Sequence, residues 1–148
     1  MAKVDLGAVR DNVAVLRRAA GRAGVMDVVK ADGYGRGAVE VARAAPAAGA
    51  SRLGTASIDE ALRLRRAGVR APVLCWLNTP GARWSAAIAA RTDVSAGDVW
   101  AVEEIASASG RAGLPARVHL KTNRARALGT ITNEPVTGVG ARVARVYL

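Results

Sequence analysis

Apolar residues along this chain fall into two alternating patterns. Some form continuous runs of strand length, and others recur every three or four positions, as on one face of a helix. The continuous runs predict five strands, over residues 25–30, 52–55, 72–77, 92–95 and 116–121. Helical patterns fill the intervals and also precede the first strand, where Asp5 is a suitable N-cap for a helix through Leu6, Val9, Val13 and Leu16.

Capping residues and helix breakers mark the ends of the predicted helices. The clearest signal is "SIDE", Ser57 to Glu60, a capping box in which the serine accepts from a first-turn amide while the glutamate reaches back. Gly68 ends that helix. The other helices are predicted from Gly37 to an early break at Pro46, over residues 84–90, and from Asp98 to Gly110 or Gly113.

Strands separated by helices of this length predict βαβ units and a parallel sheet. The strands are apolar throughout, which indicates that helices cover both faces. Five units are visible in 148 residues, whereas a closed eight-stranded barrel typically takes about 250 residues. We therefore expect an α/β fold that forms part of a (β/α)8 TIM-type barrel.

The helical period is lost beyond Lys121. The rest of the chain reads as turns and short β segments, with alternation over residues 141–148. We place a boundary near residue 125, so that residues 1–125 form the partial barrel and residues 126–148 a short β-rich tail.

The chain is strongly basic, with 22 basic against 12 acidic side chains and a formal net charge of +10. This charge suggests nucleic-acid binding. However, the arginines are scattered through alanine-rich helices, and aromatic residues, on which bases stack, make up only 3% of the chain. No dedicated nucleic-acid partner is expected.

The remaining composition points to a cytoplasmic protein without a membrane partner. The lone cysteine, Cys75, excludes an internal disulfide. No apolar run approaches the roughly 20 residues of a membrane span, and no signal peptide opens the chain. No cluster of His, Cys, Asp and Glu has metal-ligand spacing, and His119 is expected to be a strand residue of the core.

Lys30 ends the first predicted strand and precedes a turn with glycine at positions 33, 35 and 37. The residues alone leave two interpretations open. A strand-end lysine commonly packs its stem on the core and keeps its ammonium in water. Alternatively, an amine at the carboxyl end of a parallel strand, where reactive groups collect, can lose hydration and act as a nucleophile or a base.

The stretch "VVKADGYGRG", residues 28–37, resembles the cofactor-lysine segment of alanine racemases, a family of barrel enzymes that use pyridoxal 5′-phosphate (PLP). Residues 39–77 resemble the next two barrel units of that family, and "ARVHLKT" resembles its V-H-L-K-V-D-T-G strand. The resemblance implies that Lys30 holds PLP as a Schiff base and is the base on one face of the substrate Cα. It also implies that Tyr34 hydrogen-bonds the PLP phosphate.

The same resemblance implies an isomerase that interconverts L- and D-alanine, provides D-alanine for the cell wall, and is a homodimer. The tail carries a second match, because "GTITNEPVTGVGARVARVYL" resembles the extreme carboxyl-terminal segment of the family. The chain therefore looks truncated or internally deleted, with the second half of the barrel and most of the C-terminal β domain absent.

Several positions depart from the family pattern. Asn133 stands where the family has a phosphate-contacting tyrosine, and Arg36 replaces the usual histidine. Lys121 matches a barrel lysine of the family, but Asn123 stands where the family has an aspartate. The next arginine of the family has no clear counterpart, although Arg126 lies close to its position. Nothing matches the tyrosine that is the base on the opposite face.

Racemisation needs proton transfer on both faces of Cα, and each positioned base typically contributes about 10²–10⁴-fold. With Lys30 as the one matched base, efficient racemisation is not expected. Two alternatives stay open: a noncatalytic protein that binds PLP, and a remnant whose basic surface binds other macromolecules.

Part of a barrel also leaves surfaces that the whole barrel would cover. Five units leave two unpaired strand edges, and the predicted interior side chains Val28, Leu74, Trp76 and Leu120 would face water. Open edges and exposed apolar patches favour association. We therefore expect an oligomer or an aggregation-prone chain.

Overall fold

A computed structural model of the chain describes residues 4–121 and 145–146. It divides into two compact units, Met1–Asn78 and Thr79–Leu148. The predictions made for Asn123, Arg126 and Asn133 lie outside the described residues.

The first unit contains three short parallel strands separated by helical segments. Its elements are α1 (Leu6–Ala19), β1 (Met26–Val28), α2 (Lys30–Gly35), α3 (Ala38–Ala47), β2 (Arg52–Thr55), α4 (Ile58–Arg66) and β3 (Val73–Cys75). β2 lies between β1 and β3, and both pairings are parallel. Val28 lies opposite Gly54, which in turn lies opposite Leu74.

The second unit repeats the alternation. Its elements are α5 (Trp84–Ala89), β4 (Asp93–Ala96), α6 (Val99–Ala112), β5 (Val118–Leu120) and β6 (Arg145–Val146). β5 pairs in parallel with β4 and with β6. The β segment predicted near the end of the chain is therefore present at residues 145–146, and it extends the parallel sheet of this unit.

The α/β alternation predicted from the sequence is confirmed, with five parallel strands between helices before the tail. The capping signals explain the helix starts. The Asp5 carboxylate accepts from the amides of Gly7 and Ala8, and the capping box of α4 is formed in both directions. The cores contain aliphatic side chains that are at most 1% exposed: Leu53, Leu64 and Val73 in the first unit, and Val94 and Ile105 in the second.

Two local predictions were wrong. The first strand ends at Val28, so Lys30 follows the strand by two residues and opens α2. Pro46 does not break α3 early, because the helix runs to Ala47 and the proline stands in its last turn, where little of the helix remains to be disrupted.

The expectation that four barrel-interior side chains face water was wrong for Leu74, which is buried, and was met only in part by the other three. Leu74 is 8% exposed, and Val28, Trp76 and Leu120 are half-buried. Part of the reason lies at Gly54, where an added Cβ would come within 2.5 Å of the Trp76 ring. The glycine leaves a space on the strand surface, and the indole fills it.

Among the described helices, none is long and apolar enough to cross a membrane.

Candidate functional site

Lys30 lies at the carboxyl end of β1 in the first unit. Val29, directly before it, is 1% exposed, and its N–H donates to the Gly54 carbonyl at 2.8 Å, which continues the pairing with β2 by one more bond. The Lys30 side chain is half-buried. The strand and its last buried residue therefore place the lysine at the edge of the sheet where reactive groups of parallel α/β folds collect.

The backbone after Lys30 makes a turn of left-handed helix. Ala31, Asp32, Gly33 and Tyr34 all have φ between 49° and 65° and ψ between 37° and 50°. For residues with a Cβ this conformation costs roughly 1–2 kcal/mol each, and three of the four residues have one. The glycines predicted a loose turn, but not that alanine, aspartate and tyrosine would adopt positive φ.

Backbone hydrogen bonds close this turn from both ends. The Gly33 N–H donates to the Val29 carbonyl at 2.9 Å, and the Gly37 N–H donates to the Asp32 carbonyl at 2.9 Å. A Cβ at Gly33 would lie 3.4 Å from the Ala38 backbone, so α3 packs closely on the turn. That distance is an ordinary contact, and the φ of 65° at Gly33 is the feature that favours glycine at this position.

Asp32 joins the turn to two helices. Its Oδ1 accepts from the Ala38 N–H at 3.1 Å, in the first turn of α3, and lies 3.0 Å from the Arg63 guanidinium of α4. The ion pair is largely exposed and so contributes little to stability on its own. It joins the turn to α4.

Tyr34 and Lys30 are brought to the same side of the turn. The Lys30 Nζ lies 6.0 Å from the centroid of the Tyr34 ring, at the outer limit of a cation–π contact. The tyrosine is 57% exposed. An amine and a phenol therefore face a shared, solvent-accessible space, where the amine can attack an electrophile and the phenol can donate to an anion.

Sequence reasoning missed Glu60 as part of this site. Its carboxylate accepts from the Ala31 N–H at 2.8 Å, directly after Lys30. The capping box predicted its local partners, but the sequence carried no signal for a contact 29 residues away.

Three other residues singled out in the sequence, Arg36, Lys121 and His119, have contacts of their own. Arg36 is exposed, with a guanidinium nitrogen 3.5 Å from the Tyr34 carbonyl. Lys121 is exposed just after β5, and its N–H donates to the Ala96 carbonyl at 2.8 Å. His119 lies in β5 as predicted and contacts the buried Asp93 at 3.3 Å, where Arg117 also pairs with the carboxylate.

Asp27 in β1 has a perturbed carboxyl group. Desolvation by burial raises its pKa above the ordinary value of 3.8, against a smaller opposing effect of a hydrogen bond with the Val28 backbone. Its Oδ2 is buried and has no hydrogen-bond partner. Within the described residues, no group of three or more His, Cys, Asp and Glu side chains could hold a metal ion.

The family model described as "Alanine racemase, N-terminal domain" matches residues 4–145. The chain belongs to this family. An alanine racemase from Streptomyces coelicolor is 52% identical over 126 residues, which is 82% of this chain and 32% of that protein. An alanine racemase from Thermobifida fusca is 46% identical over 144 residues, covering 97% of this chain and 38% of the relative.

Solved alanine racemases share the fold. The structure from Streptomyces coelicolor A3(2) superposes with a TM-score of 0.79 at 52% identity and covers 81% of this chain and 32% of that one. The Bacillus anthracis alanine racemase with bound L-Ala-P gives 0.69 at 32% identity, over 78% of this chain and 30% of that one. The chain thus spans about a third of the length of the alanine racemases it matches.

Proposed function

We propose that this chain carries the lysine side of an alanine racemase site, in which Lys30 binds PLP covalently and Tyr34 contacts the cofactor phosphate. The observation that supports the proposal most strongly is that, just beyond β1, the Lys30 Nζ lies 6.0 Å from the centroid of the Tyr34 ring, in a chain of this family.

The residues present fit part of what PLP requires. When bound, PLP supplies an aldehyde that condenses with a lysine amine and an electron sink for negative charge at Cα. Lys30 offers the amine on a half-buried stem, and the exposed phenol of Tyr34 offers a hydrogen-bond donor for a phosphate oxygen. Lys30 would hold the cofactor and Tyr34 would orient it.

In the reaction of the family, Lys30 would remove or return the proton on one face of the substrate Cα. A positioned base of this kind typically contributes about 10²–10⁴-fold to the rate. Inversion also needs a proton donor on the other face. We therefore propose one-sided proton exchange at Cα of alanine as the activity of this chain, and slow racemisation.

The test is to incubate the chain with PLP and L-alanine in D₂O and to follow deuterium at Cα and D-alanine separately. We expect deuterium incorporation faster than with free PLP, little D-alanine, and no incorporation above the free-PLP rate for Lys30→Ala. Rates no better than free PLP for the wild-type chain would contradict the proposal. They would leave two alternatives: a noncatalytic protein that binds PLP, and a remnant whose basic surface, with net charge +10, binds other macromolecules.

A further inference from the structure

Glu60 connects the start of α4 to the turn that carries Lys30. We propose that Glu60 is a positioning residue for Lys30, in addition to its part in the capping box; this rests on the proposed function of Lys30. The Glu60 carboxylate accepts three hydrogen bonds, and together they give it this role.

One carboxylate oxygen is fixed by the helix to which Glu60 belongs. Oε2 accepts from the N–H groups of Ala56 at 2.8 Å and Ser57 at 3.3 Å, while the Glu60 N–H donates to the Ser57 hydroxyl at 3.3 Å. These bonds are local, within four residues. They hold the side chain against the first turn of α4 and leave it little freedom to move.

The other oxygen reaches the left-handed turn that follows Lys30. Oε1 accepts from the Ala31 N–H at 2.8 Å. This N–H belongs to the peptide unit whose carbonyl is that of Lys30, and because a peptide unit is planar, the bond fixes the orientation of the whole unit. The direction in which the Lys30 side chain leaves the backbone is therefore set by a carboxylate anchored on α4.

The arrangement requires a carboxylate rather than another polar group. Both oxygens face N–H donors, and only an ionised carboxyl group accepts at both ends. A glutamine satisfies more donors with its oxygen at the Ala56 and Ser57 end, and it would then present its NH₂ donor to the Ala31 N–H. Aspartate keeps the charge, but its side chain is one methylene shorter and cannot span both contacts.

A second contact from the same helix face supports this assignment. Arg63 stands three residues after Glu60, so both side chains project from one side of α4. Arg63 pairs with Asp32 in the turn at 3.0 Å. The helix therefore holds two consecutive residues of the left-handed turn, Ala31 through its amide and Asp32 through its carboxylate.

The test compares Glu60→Gln with Ser57→Ala in the full chain. Ser57→Ala removes the other half of the capping box but leaves the Glu60 carboxylate free to bind Ala31, so it controls for a weakened helix start. Two quantities are measured: hydrogen exchange of the Ala31 amide, and the rate at which Lys30 is labelled by PLP and borohydride.

We expect Glu60→Gln to speed exchange of the Ala31 amide about tenfold or more and to slow labelling of Lys30 by roughly 10–100-fold, the effect of misplacing a reactive group by about 1 Å. Ser57→Ala weakens the start of α4, and urea unfolding measures the stability that it loses. Beyond the effect of that loss, it should change neither the exchange rate of the Ala31 amide nor the labelling rate of Lys30. If Glu60→Gln does not fold, Glu60→Asp replaces it with the same expectation.

Equal exchange of Ala31 in the wild type and Glu60→Gln would overturn the proposal, and so would equal slowing of labelling in Ser57→Ala. If the wild-type chain takes no PLP at Lys30, that result counts against the proposed function alone. The acylation rate of Lys30 by a small amine-reactive ester then replaces labelling. A lower acylation rate of Lys30 in Glu60→Gln, but not in Ser57→Ala, supports the positioning role. An acylation rate in Glu60→Gln equal to that of the wild type overturns it.

Discussion

At the residue scale, Tyr34 provides a direct test of the proposed contact with the PLP phosphate. Tyr34→Phe removes the hydroxyl and keeps the ring, which is 57% exposed, so the fold should be unaffected. A hydrogen bond to a charged group contributes about 1.5–3 kcal/mol, and we expect the dissociation constant for PLP to rise roughly 10–100-fold. An absorbance titration measures it, and unchanged affinity would remove Tyr34 from the site.

Asp27 makes stability depend on pH. Because burial raises its pKa in the folded state above 3.8, the folded chain binds this proton more tightly than the unfolded chain. The contribution of Asp27 to the free energy of unfolding is therefore most favourable below 3.8 and falls as the pH rises through the folded-state pKa.

Asp27→Asn lacks this titration. We expect the variant to gain stability relative to the wild type as the pH rises from below 3.8 through the folded-state pKa of Asp27. Urea unfolding at a pH below this range and at a pH above it measures the difference. A difference between the two proteins that does not change with pH would show that the Asp27 carboxyl is solvated in the folded state.

Single residues also show where the sequence was sufficient. Lys30 could be assigned to the carboxyl end of a strand because an apolar run and a glycine-rich turn flank it. The conformation of Ala31, Asp32 and Tyr34 could not be predicted, since alanine and tyrosine have no local preference for positive φ. It depends on Glu60 and Ala38, which are distant or downstream in the chain.

At the scale of elements, the central strand β2 depends on the absence of a side chain at Gly54. A Cβ there would lie 2.5 Å from the Trp76 ring and 3.1 Å from the Met26 sulfur. We expect Gly54→Ala to lower the free energy of unfolding by about 1–3 kcal/mol through overpacking.

Gly110 in α6 is the matched control. An added Cβ at that position has nothing within 4 Å, so Gly110→Ala should stabilise the helix by about 0.5–1 kcal/mol. Chemical denaturation measures both variants. If Gly54→Ala is as stable as the wild type, the packing of Trp76 over β2 is not as described.

Element boundaries followed the strength of their local signals. The helix that begins at Ser57 was predicted correctly, because a capping box and a terminal glycine are both local chemistry. β1, β3 and β5 are each three residues long, shorter than their predicted runs of six, because residues such as Val29 and Trp76 continue the apolar pattern after regular pairing ends. β2 and β4 are four residues long, as predicted. Hydrophobicity marks burial, and pairing is decided by the neighbouring strand.

At the scale of the whole molecule, β1 presents an edge that can associate. Among the described strands β1 pairs only with β2, and Met26 on β1 is 37% exposed. Unpaired strand edges with apolar side chains favour association. We expect light scattering to give a mass above the 15.2 kDa of one chain. A monodisperse monomer with one cooperative melting transition would contradict this expectation.

The family could be predicted from the sequence because its motifs keep their order from Val28 to Lys121. The activity of the chain could not be predicted, because the chain spans about a third of the length of the alanine racemases it matches. The proposed site has one base and one phosphate ligand. The assignment of residues 126–148 to a short β-rich tail, a remnant of the family's C-terminal β domain, stays a prediction.

We propose that Lys30 is the lysine that binds PLP. The chain has three lysines, Lys3, Lys30 and Lys121, so the other two are internal controls. The most direct measurement is to add PLP in equal amount to the chain, reduce with borohydride, and map the modified lysine by mass spectrometry. We predict that the label lies on Lys30, well above Lys3 and Lys121. A label spread equally over the three lysines, or absent from Lys30, would contradict the account.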